Sequence, residues 1–265
     1  LTSLDPHSRY LTKSEWDNEM TQLEGGFDGI GMTFNVKNDT TRVITVHADS
    51  PAARGGLLPG DQVLQVDTHR IVGMPSSEVI TLIRGRKGTR VELTVKRYGE
   101  EGVRQLQMVR RAVSMPSVTC VTMLNDTTGY IRLTSFIETS HKEFRKAVND
   151  LKGKGMTHLI FDLRDNGGGL LTAAQAIADE LLPGKELIVY TQGAHQPRRN
   201  LYSTPGGVFC QGRLTVMVNE FSASASEIIA GTVQDNDRGA IVGRRTFGKG
   251  LVQQQLPLSD GSNIF

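Results

Sequence analysis

The chain has 265 residues, 38% of them hydrophobic and 22% charged, and a formal net charge of +2. This composition indicates a globular protein rather than a disordered one, and no apolar run approaches the roughly 18 residues that a membrane span needs. The basic residues are too few and too evenly spread to indicate nucleic-acid binding. Cys120 and Cys210 are too few for a disulfide-rich scaffold or a multi-cysteine zinc site, and we expect two free thiols of the core type. The six histidines show no metal-ligand spacing, so no metal or other cofactor is expected.

The first half of the chain predicts a short helix followed by a small mixed domain. After a turn at Asp5-Pro6, a helix is predicted to begin at Thr12, with Glu15 completing a capping box. From about residue 27 to 113, short strands such as 43–46 and 91–95 flank one helix over 76–84. This pattern predicts a compact α+β domain inserted between the first 26 residues and the rest.

From residue 129 onward, strands and helices alternate, which predicts an α/β core with a largely parallel sheet. A helix is predicted to be capped by Ser140 with Glu143, and others to follow the glycine run and Ser224. Residues 192–207, rich in proline, glycine, serine and arginine, are predicted to form an exposed loop. The predicted strands cover 130–133, 158–163, 187–190 and 214–218. The last three residues resemble a strand that is just beginning, so we expect the chain to be a fragment.

Three serines, Ser222, Ser224 and Ser226, stand among small residues between a predicted strand and a predicted helix. At a helix start, a serine lies near unpaired backbone N–H groups and the positive end of the helix dipole. That position suits a nucleophile whose product is an oxyanion. It equally suits a simple N-cap.

Lys249 lies between Gly248 and Gly250, so its amine can approach another backbone closely. To act as a base near neutral pH, the amine must be desolvated, which favours its uncharged form. The alternative is a surface lysine in a hairpin. Residues 243–250 also match a phosphate-binding loop up to its last position, but Gly250 lacks the hydroxyl that holds magnesium, and residues 251–253 are predicted to be a strand. No nucleotide site is therefore expected.

Two glycine-rich segments could present backbone N–H groups to a ligand. Gly167, Gly168 and Gly169 follow a buried strand and could form an oxyanion hole for a nucleophile on the neighbouring turn. Their spacing is a weak match to a phosphate cradle. Gly29-Ile30-Gly31-Met32 could capture a peptide carboxylate while an open strand edge pairs with the extended peptide.

Taken together, five motifs resemble the carboxyl-terminal processing protease family, also called tail-specific proteases. They are Leu4-Asp5-Pro6-x-Ser8-x-Tyr10-Leu11, Gly129-Tyr130-Ile131-Arg132-Leu133, Asp162-Leu163-Arg164-x-Asn166-Gly167-Gly168-Gly169, Ser224-Ala225-Ser226-Glu227 and Phe247-Gly248-Lys249-Gly250-x-x-Gln253. Residues 50–67 and 82–89 look like the inserted PDZ domain of that family. The resemblance implies a crotonase/ClpP-like α/β protease core, over residues 1–26 and 114–265, with a mixed α+β PDZ-type domain over 27–113. The core would be truncated at its C-terminal end.

The resemblance also assigns roles to individual residues. Ser224, twenty-five residues before Lys249, would be the nucleophile, with Lys249 as general base and Gln253 orienting its amine. The backbone N–H groups of Ala225 and Gly169, rather than Gly168, would form the oxyanion hole. In the PDZ-type domain, Gly29, Ile30, Gly31 and Met32 would bind the peptide.

The leading functional hypothesis is thus a serine endopeptidase that cuts unfolded or flexible protein C-termini. Family resemblance implies an extracytoplasmic, periplasmic location in a bacterial cell envelope, and an oligomer or adaptor protein as partner. A catalytically impaired PDZ adaptor on the same fold is the alternative, although such a relative would be expected to lose Ser224 or Lys249. Against a crotonase-like acyl-CoA enzyme, this sequence shows no recognisable adenine or phosphate site. Against a Ser-His-Asp protease, none of its histidines stands in a recognisable motif.

Overall fold

The computed structural model describes residues 7–23 and 25–264, so the predicted turn at Asp5-Pro6 lies outside the described residues. The chain divides into two compact units. The inserted unit is Gly26–Met115, and the core unit combines the residues on either side of it. No helix among the described residues is long and apolar enough to span a membrane.

The core unit opens with strand β1 (Tyr10–Leu11) and helix α1 (Lys13–Leu23). The predicted capping box closes the start of α1. The Thr12 N–H donates to the Glu15 carboxylate at 2.8 Å, and the Glu15 N–H donates to the Thr12 hydroxyl at 3.4 Å. Two of the helix's otherwise unpaired groups are satisfied in this way, and the predicted helix is confirmed.

The inserted unit is a six-stranded antiparallel sheet with a separate two-stranded ribbon and two helices. Its elements are β2 (Gly26–Gly29), β3 (Met32–Lys37), β4 (Thr40–Val46), α2 (Pro51–Arg54), β5 (Gln62–Val66), β6 (His69–Arg70), α3 (Ser76–Ile83), β7 (Arg90–Lys96), β8 (Arg104–Val109) and β9 (Arg111–Ser114). The order β3-β4-β5-β7-β8 leaves β3 at one end of the sheet, and β2 pairs with β9. Val79 and Ile83 bury one face of α3, while Ile80 stays 37% exposed.

The rest of the core unit alternates strands and helices. Its elements are β10 (Val118–Met123), β11 (Thr128–Leu133), α4 (Ser140–Lys152), β12 (His158–Asp162), α5 (Leu171–Leu181), β13 (Leu187–Gly193), β14 (Gln196–Tyr202), β15 (Arg213–Val218), α6 (Ala225–Asp235), β16 (Ala240–Gly243), β17 (Leu256–Pro257) and β18 (Asn263–Ile264). The main sheet has the order β10-β11-β12-β15-β16 and is parallel except for β10. The predicted parallel α/β core is confirmed. Its hydrophobic cluster joins the sheet to α4, α5 and α6, with Phe144 and Phe161 fully buried at a ring-centre distance of 4.9 Å.

Three neighbouring parallel strands, β12, β15 and β16, end at the same edge of this sheet. The loop after β12 carries the glycine run, the turn after β15 carries Ser224, and the segment after β16 carries Lys249. Sites in open α/β sheets form at this edge because the carboxyl ends of parallel strands meet there. The fold therefore brings together segments that are far apart in sequence.

Four predictions of local structure were wrong. Helix α4 has Thr139, not Ser140, at its N-cap position, because the Ser140 hydroxyl is buried and donates to Ser117. Residues 192–207 are mostly exposed but are not one loop, since residues 192–193 and 196–202 lie in strands β13 and β14, which pair as a hairpin. Residues 251–253 form no strand. Cys120 is free but exposed, so it is not a core thiol, and Cys210 is free and half-buried.

Candidate active site

Ser224 occupies a sharp turn between β15 and α6. Its backbone has φ 54° and ψ −111°, a left-handed conformation that is costly for any residue except glycine. In α/β hydrolases a strained turn of this kind presents the nucleophilic hydroxyl above the sheet edge. Ser224 is half-buried and lines a cavity of about 400 Å³.

The two neighbouring serines have structural roles instead. Ser222 and Ser226 are fully buried. The Ser222 hydroxyl donates to the Leu163 carbonyl at 2.8 Å, and the Ser226 hydroxyl donates to the Asn166 carbonyl at 2.8 Å. Both bonds tie the turn to the loop after β12. Of the three serines, the cavity is lined by Ser224 alone.

Lys249 and Gln253 line the same cavity as Ser224. The Lys249 ammonium donates to Gln253 Oε1, and Gln253 Nε2 donates to the main-chain carbonyl of His7 at 2.9 Å. The predicted site residues of the core unit, Ser224, Lys249, Gln253, Ala225 and Gly169, therefore surround one cavity. Their roles remain a proposal.

Glu227 links the turn that carries Ser224 to the segment that carries Lys249, a contact that the sequence analysis missed. Its Oε2 accepts hydrogen bonds from the backbone N–H groups of Ser224 and Lys249, each at 2.8 Å. Its Oε1 accepts the Thr246 hydroxyl at 2.8 Å and the Gly248 N–H at 2.7 Å. Burial raises the pKa of Glu227, but the bonds from Thr246 and the three N–H groups outweigh it and hold that pKa below its ordinary value. The spacing from Ser224 to Glu227 is that of a capping box, a signal that was present in the sequence.

Replacing Glu227 by glutamine is expected to lower kcat/KM for a reaction catalysed at this cavity roughly a hundredfold. A neutral amide has one acceptor oxygen for four donors, and its NH₂ would face N–H groups, so about two charge-assisted bonds are lost. Glu220→Gln is the matched control, because Glu220 pairs with Arg244 on an exposed surface.

The same contacts predict how stability depends on pH. Since the pKa of Glu227 is lowered by folding, its contribution is fully present above the ordinary value and is lost as pH falls through the lower folded value. The melting temperature of the wild type should exceed that of Glu227→Gln near neutral pH, and the difference should shrink only in acid, at pH values below the ordinary glutamate pKa of 4.5. A difference that is constant with pH would contradict the proposed ionisation.

The glycine run, Gly167 to Gly169, lies directly against the turn that carries Ser224. A Cβ at Gly168 would lie 2.9 Å from Ser224 Cβ and 3.0 Å from the Ala225 nitrogen. The Gly168 N–H already donates to Asn166 Oδ1 at 2.9 Å, whereas among the described residues no acceptor is found for the Gly169 N–H. Gly167 and Ala225, the first residue of α6, also line the cavity, and no acceptor is found among the described residues for their N–H groups either.

Gly168→Ala is expected to lower kcat/KM by roughly a hundredfold or more, because displacing the Ala225 N–H from an oxyanion should cost about as much as removing such a donor. The new methyl would press on Ser224 and Ala225, and φ 103° at this position strains any other residue. Gly231→Ala, on α6, is the control, because its Cβ would meet nothing within 4 Å and Gly231 does not line the cavity. Similar losses in both variants would show that the close approach at Gly168 does not matter.

Asn166 and Asp162 hold the glycine loop in place. The fully buried Asn166 side chain donates to the Leu133 carbonyl at 3.0 Å, and its backbone carbonyl accepts the Ala223 N–H. The Asp162 carboxylate accepts two bonds from the Arg164 guanidinium and the Tyr130 hydroxyl at 2.6 Å. Burial raises the pKa of Asp162, yet these partners lower it overall. The sequence analysis assigned neither residue a role.

A second cavity lies within the inserted unit, between β3 and α3. It has a volume of about 230 Å³ and is lined largely by apolar side chains, including Ile30, Met32, Ile80 and Ile83. Gly31 also lines it, and Arg84 lies 4.7 Å above the Phe27 ring on its wall. An apolar groove beside an end strand is the geometry in which a peptide adds as a further strand. Gly29 does not line this cavity.

A serine at a strained strand-to-helix turn, with a glycine loop beside it, is the arrangement of a serine hydrolase. Sequence comparison agrees with this class. Residues 127–265 match Peptidase family S41, and residues 42–97 match the PDZ domain. The chain belongs to peptidase family S41 and contains a PDZ domain.

Similar proteins carry names of the same kind. The chain is 36% identical to a carboxyl-terminal-processing protease of Synechocystis sp., covering all of this chain and 63% of that one. It is 34% identical to one from Bartonella bacilliformis, covering 100% and 61%. Among solved structures, the photosystem II D1 C-terminal processing protease has a TM-score of 0.56 at 30% identity and covers 98% of this chain and 71% of that one. The chain thus spans about three-fifths of the length of these curated relatives.

Proposed function

We propose that the complete protein is a serine endopeptidase with Ser224 as nucleophile and Lys249 as general base. The observation that carries this proposal is the shared cavity of Ser224 and Lys249, with the lysine amine held by Gln253. The matches to Peptidase family S41 and to carboxyl-terminal-processing proteases support it.

The proposed reaction follows the chemistry of a serine–lysine pair. The neutral Lys249 amine takes the proton of the Ser224 hydroxyl as its oxygen attacks the substrate carbonyl. The resulting oxyanion accepts hydrogen bonds from the backbone N–H groups of Ala225 and Gly169. The ammonium then protonates the leaving amine and the peptide bond breaks. A water molecule, deprotonated by Lys249, releases the acyl group and restores Ser224.

The walls of the cavity favour an extended, partly apolar substrate. Leu170, Val189 and Ile228 line the cavity with Ser224 and are half-buried against the hydrophobic core. Unfolded or flexible protein segments can enter such a site, whereas a folded domain cannot present its backbone to it. We therefore propose flexible protein C-termini as the substrate class, with the PDZ-type domain over about residues 27–113 recruiting them.

Recruitment would use the groove of the inserted unit. The free edge of β3 pairs with the peptide backbone, and the N–H groups of the segment from Gly29 to Met32 donate hydrogen bonds to its carboxylate. Ile30 and Met32 offer an apolar surface to its last residue. The relatives come from bacteria and from chloroplasts. We propose an extracytoplasmic location, a periplasmic one in a bacterial cell envelope, and an oligomer or adaptor protein as partner.

Endopeptidase activity is tested by incubating the complete protein with an unfolded protein and identifying the products by mass spectrometry. We expect internal cuts that release peptides, and no cuts with Ser224→Ala. Binding of the substrate without cleavage would instead support a PDZ adaptor. Stepwise release of single residues would indicate an exopeptidase.

Recognition of the free C-terminus is tested with one unfolded substrate in two forms. Amidation removes the terminal charge, so we expect kcat/KM to fall by a factor that corresponds to about 1–3 kcal/mol, the cost of leaving charge-assisted donors unpaired. Equal kcat/KM for the free and the amidated terminus would mean that the domain recognises an internal segment.

A further inference from the structure

The segment from His7 to Leu11 lies beside the candidate catalytic residues. Strand β1 pairs antiparallel with β18, with Leu11 opposite Asn263, and Leu11 is buried. Arg9 lines the same cavity as Ser224 and Lys249, and its guanidinium is 2.7 Å from the Glu19 carboxylate of α1, which also lines that cavity. The segment is therefore anchored at one end and reaches the site at the other.

The Gln253 amide is held at both of its ends. Its oxygen accepts the Lys249 ammonium, and its NH₂ donates to the His7 carbonyl at 2.9 Å. A flipped amide would place its oxygen against the oxygen of the His7 carbonyl, and the bond to His7 would be lost. The His7 carbonyl thus selects the amide orientation that accepts a hydrogen bond from Lys249.

The backbone and the side chain of Lys249 are held by different parts of the chain. Glu227 binds the Lys249 N–H, and this contact does not involve the first residues. Only the side-chain contact, through Gln253, depends on His7. Loosening the N-terminal segment should therefore leave the nucleophile turn and the lysine backbone in place and disturb the direction of the amine.

We propose that residues 7–11 are a positioning element of the active site, which orients Lys249 through the His7 carbonyl and Gln253. The proposal rests on the proposed function. It gives a role to the motif from Leu4 to Leu11, of which Leu4, Asp5 and Pro6 lie outside the described residues. Catalysis then depends on a contact between residues 246 positions apart.

A double-mutant cycle in the complete protein tests the proposal. Leu11→Ala removes the buried anchor without changing a residue that lines the cavity, and Gln253→Ala removes the intermediary. We expect each to lower kcat roughly tenfold with KM changed less than about twofold, and the double variant to equal Gln253→Ala. The proposal would be overturned if the loss of kcat in the double variant equalled the product of the two single losses. It would also be overturned if Leu11→Ala left kcat unchanged.

Two further measurements separate positioning from loss of folding. Val148→Ala, a buried change on α4, should leave kcat unchanged at a similar loss of melting temperature, and the milder Leu11→Val should lower kcat by a smaller factor, about threefold. If Leu11→Ala does not fold, Leu11→Val and its double variant carry the cycle.

A readout without catalysis separates this proposal from the proposed function. The side-chain amide signal of Gln253, assigned by its loss in Gln253→Ala, should shift in the NMR spectrum of Leu11→Ala. A shifted signal in a protein that hydrolyses no substrate would refute the proposed peptidase function but would support the contact between Gln253 and His7. Hydrolysis with an unmoved signal would refute the positioning role alone.

Discussion

Ser224→Ala is expected to lower peptide-bond hydrolysis by at least about 10⁴-fold while the protein stays folded. The substitution removes the only atom that would bond to the substrate acyl group and keeps the backbone conformation of the turn. Because Ser224 is half-buried in the cavity wall and not in the core, little packing is lost. The measurements are kcat/KM for an unfolded substrate and the melting temperature of the same sample.

Ser222→Ala and Ser226→Ala are the matched controls for that prediction. Each removes a buried hydroxyl and its hydrogen bond to a carbonyl, of Leu163 or of Asn166, which keeps a backbone N–H donor. We expect a loss of about 0.5–1.5 kcal/mol in the free energy of unfolding but measurable residual hydrolysis. An active Ser224→Ala beside an inactive Ser222→Ala or Ser226→Ala would show that the nucleophile is assigned to the wrong serine.

Lys249→Arg is expected to be as inactive as Lys249→Ala. Arginine keeps the positive charge and can still donate to Gln253, but its guanidinium does not lose a proton at any usable pH and cannot act as a base. Both variants should lose at least about 10³-fold in kcat/KM with little change in melting temperature, since Lys249 is half-buried at the cavity. Substantial hydrolysis by the arginine variant would remove Lys249 from the role of base.

Local patterns in the sequence were sufficient for most of the fold. The alternation of apolar strands and amphipathic helices after residue 129 predicts the parallel sheet because each element buries one face by itself. The capping box at Thr12 and Glu15 was correct, because both partners lie within one turn. The predicted box at Ser140 failed because Glu143 also binds Ser117 and the Val118 N–H, which only the fold brings near.

Strand pairing explains the other local errors. The composition of residues 192–207 predicted a loop. In the structure, however, Tyr190 and Asn200 face each other in the hairpin, and Arg198 packs over the Tyr190 ring at 4.0 Å. Conversely, residues 251–253 have the composition of a strand but pair with no neighbouring strand, and the Gln253 side chain binds Lys249 and His7 instead. Whether a segment becomes a strand depends on a partner that its own residues do not reveal.

The candidate site was predictable in its residue types but not in its supports. Ser224, Lys249 and the glycine run stand in motifs with short internal spacing, so the sequence was sufficient to single them out. The contacts that fix them join distant segments: Glu227 to Lys249, Asn166 to the Ala223 turn, and Gln253 to His7. No periodicity or local spacing reports such contacts.

Labelling with a small serine-reactive probe, followed by mass-spectrometric mapping, tests the central claim most directly. The complete protein should be labelled at Ser224, and the labelling rate should fall at least about 10²-fold in Lys249→Ala, because we propose the lysine amine as the base that activates the hydroxyl. Ser224→Ala should take up no label. Modification of another serine, or an equal labelling rate with and without the Lys249 amine, would contradict the proposed serine–lysine site.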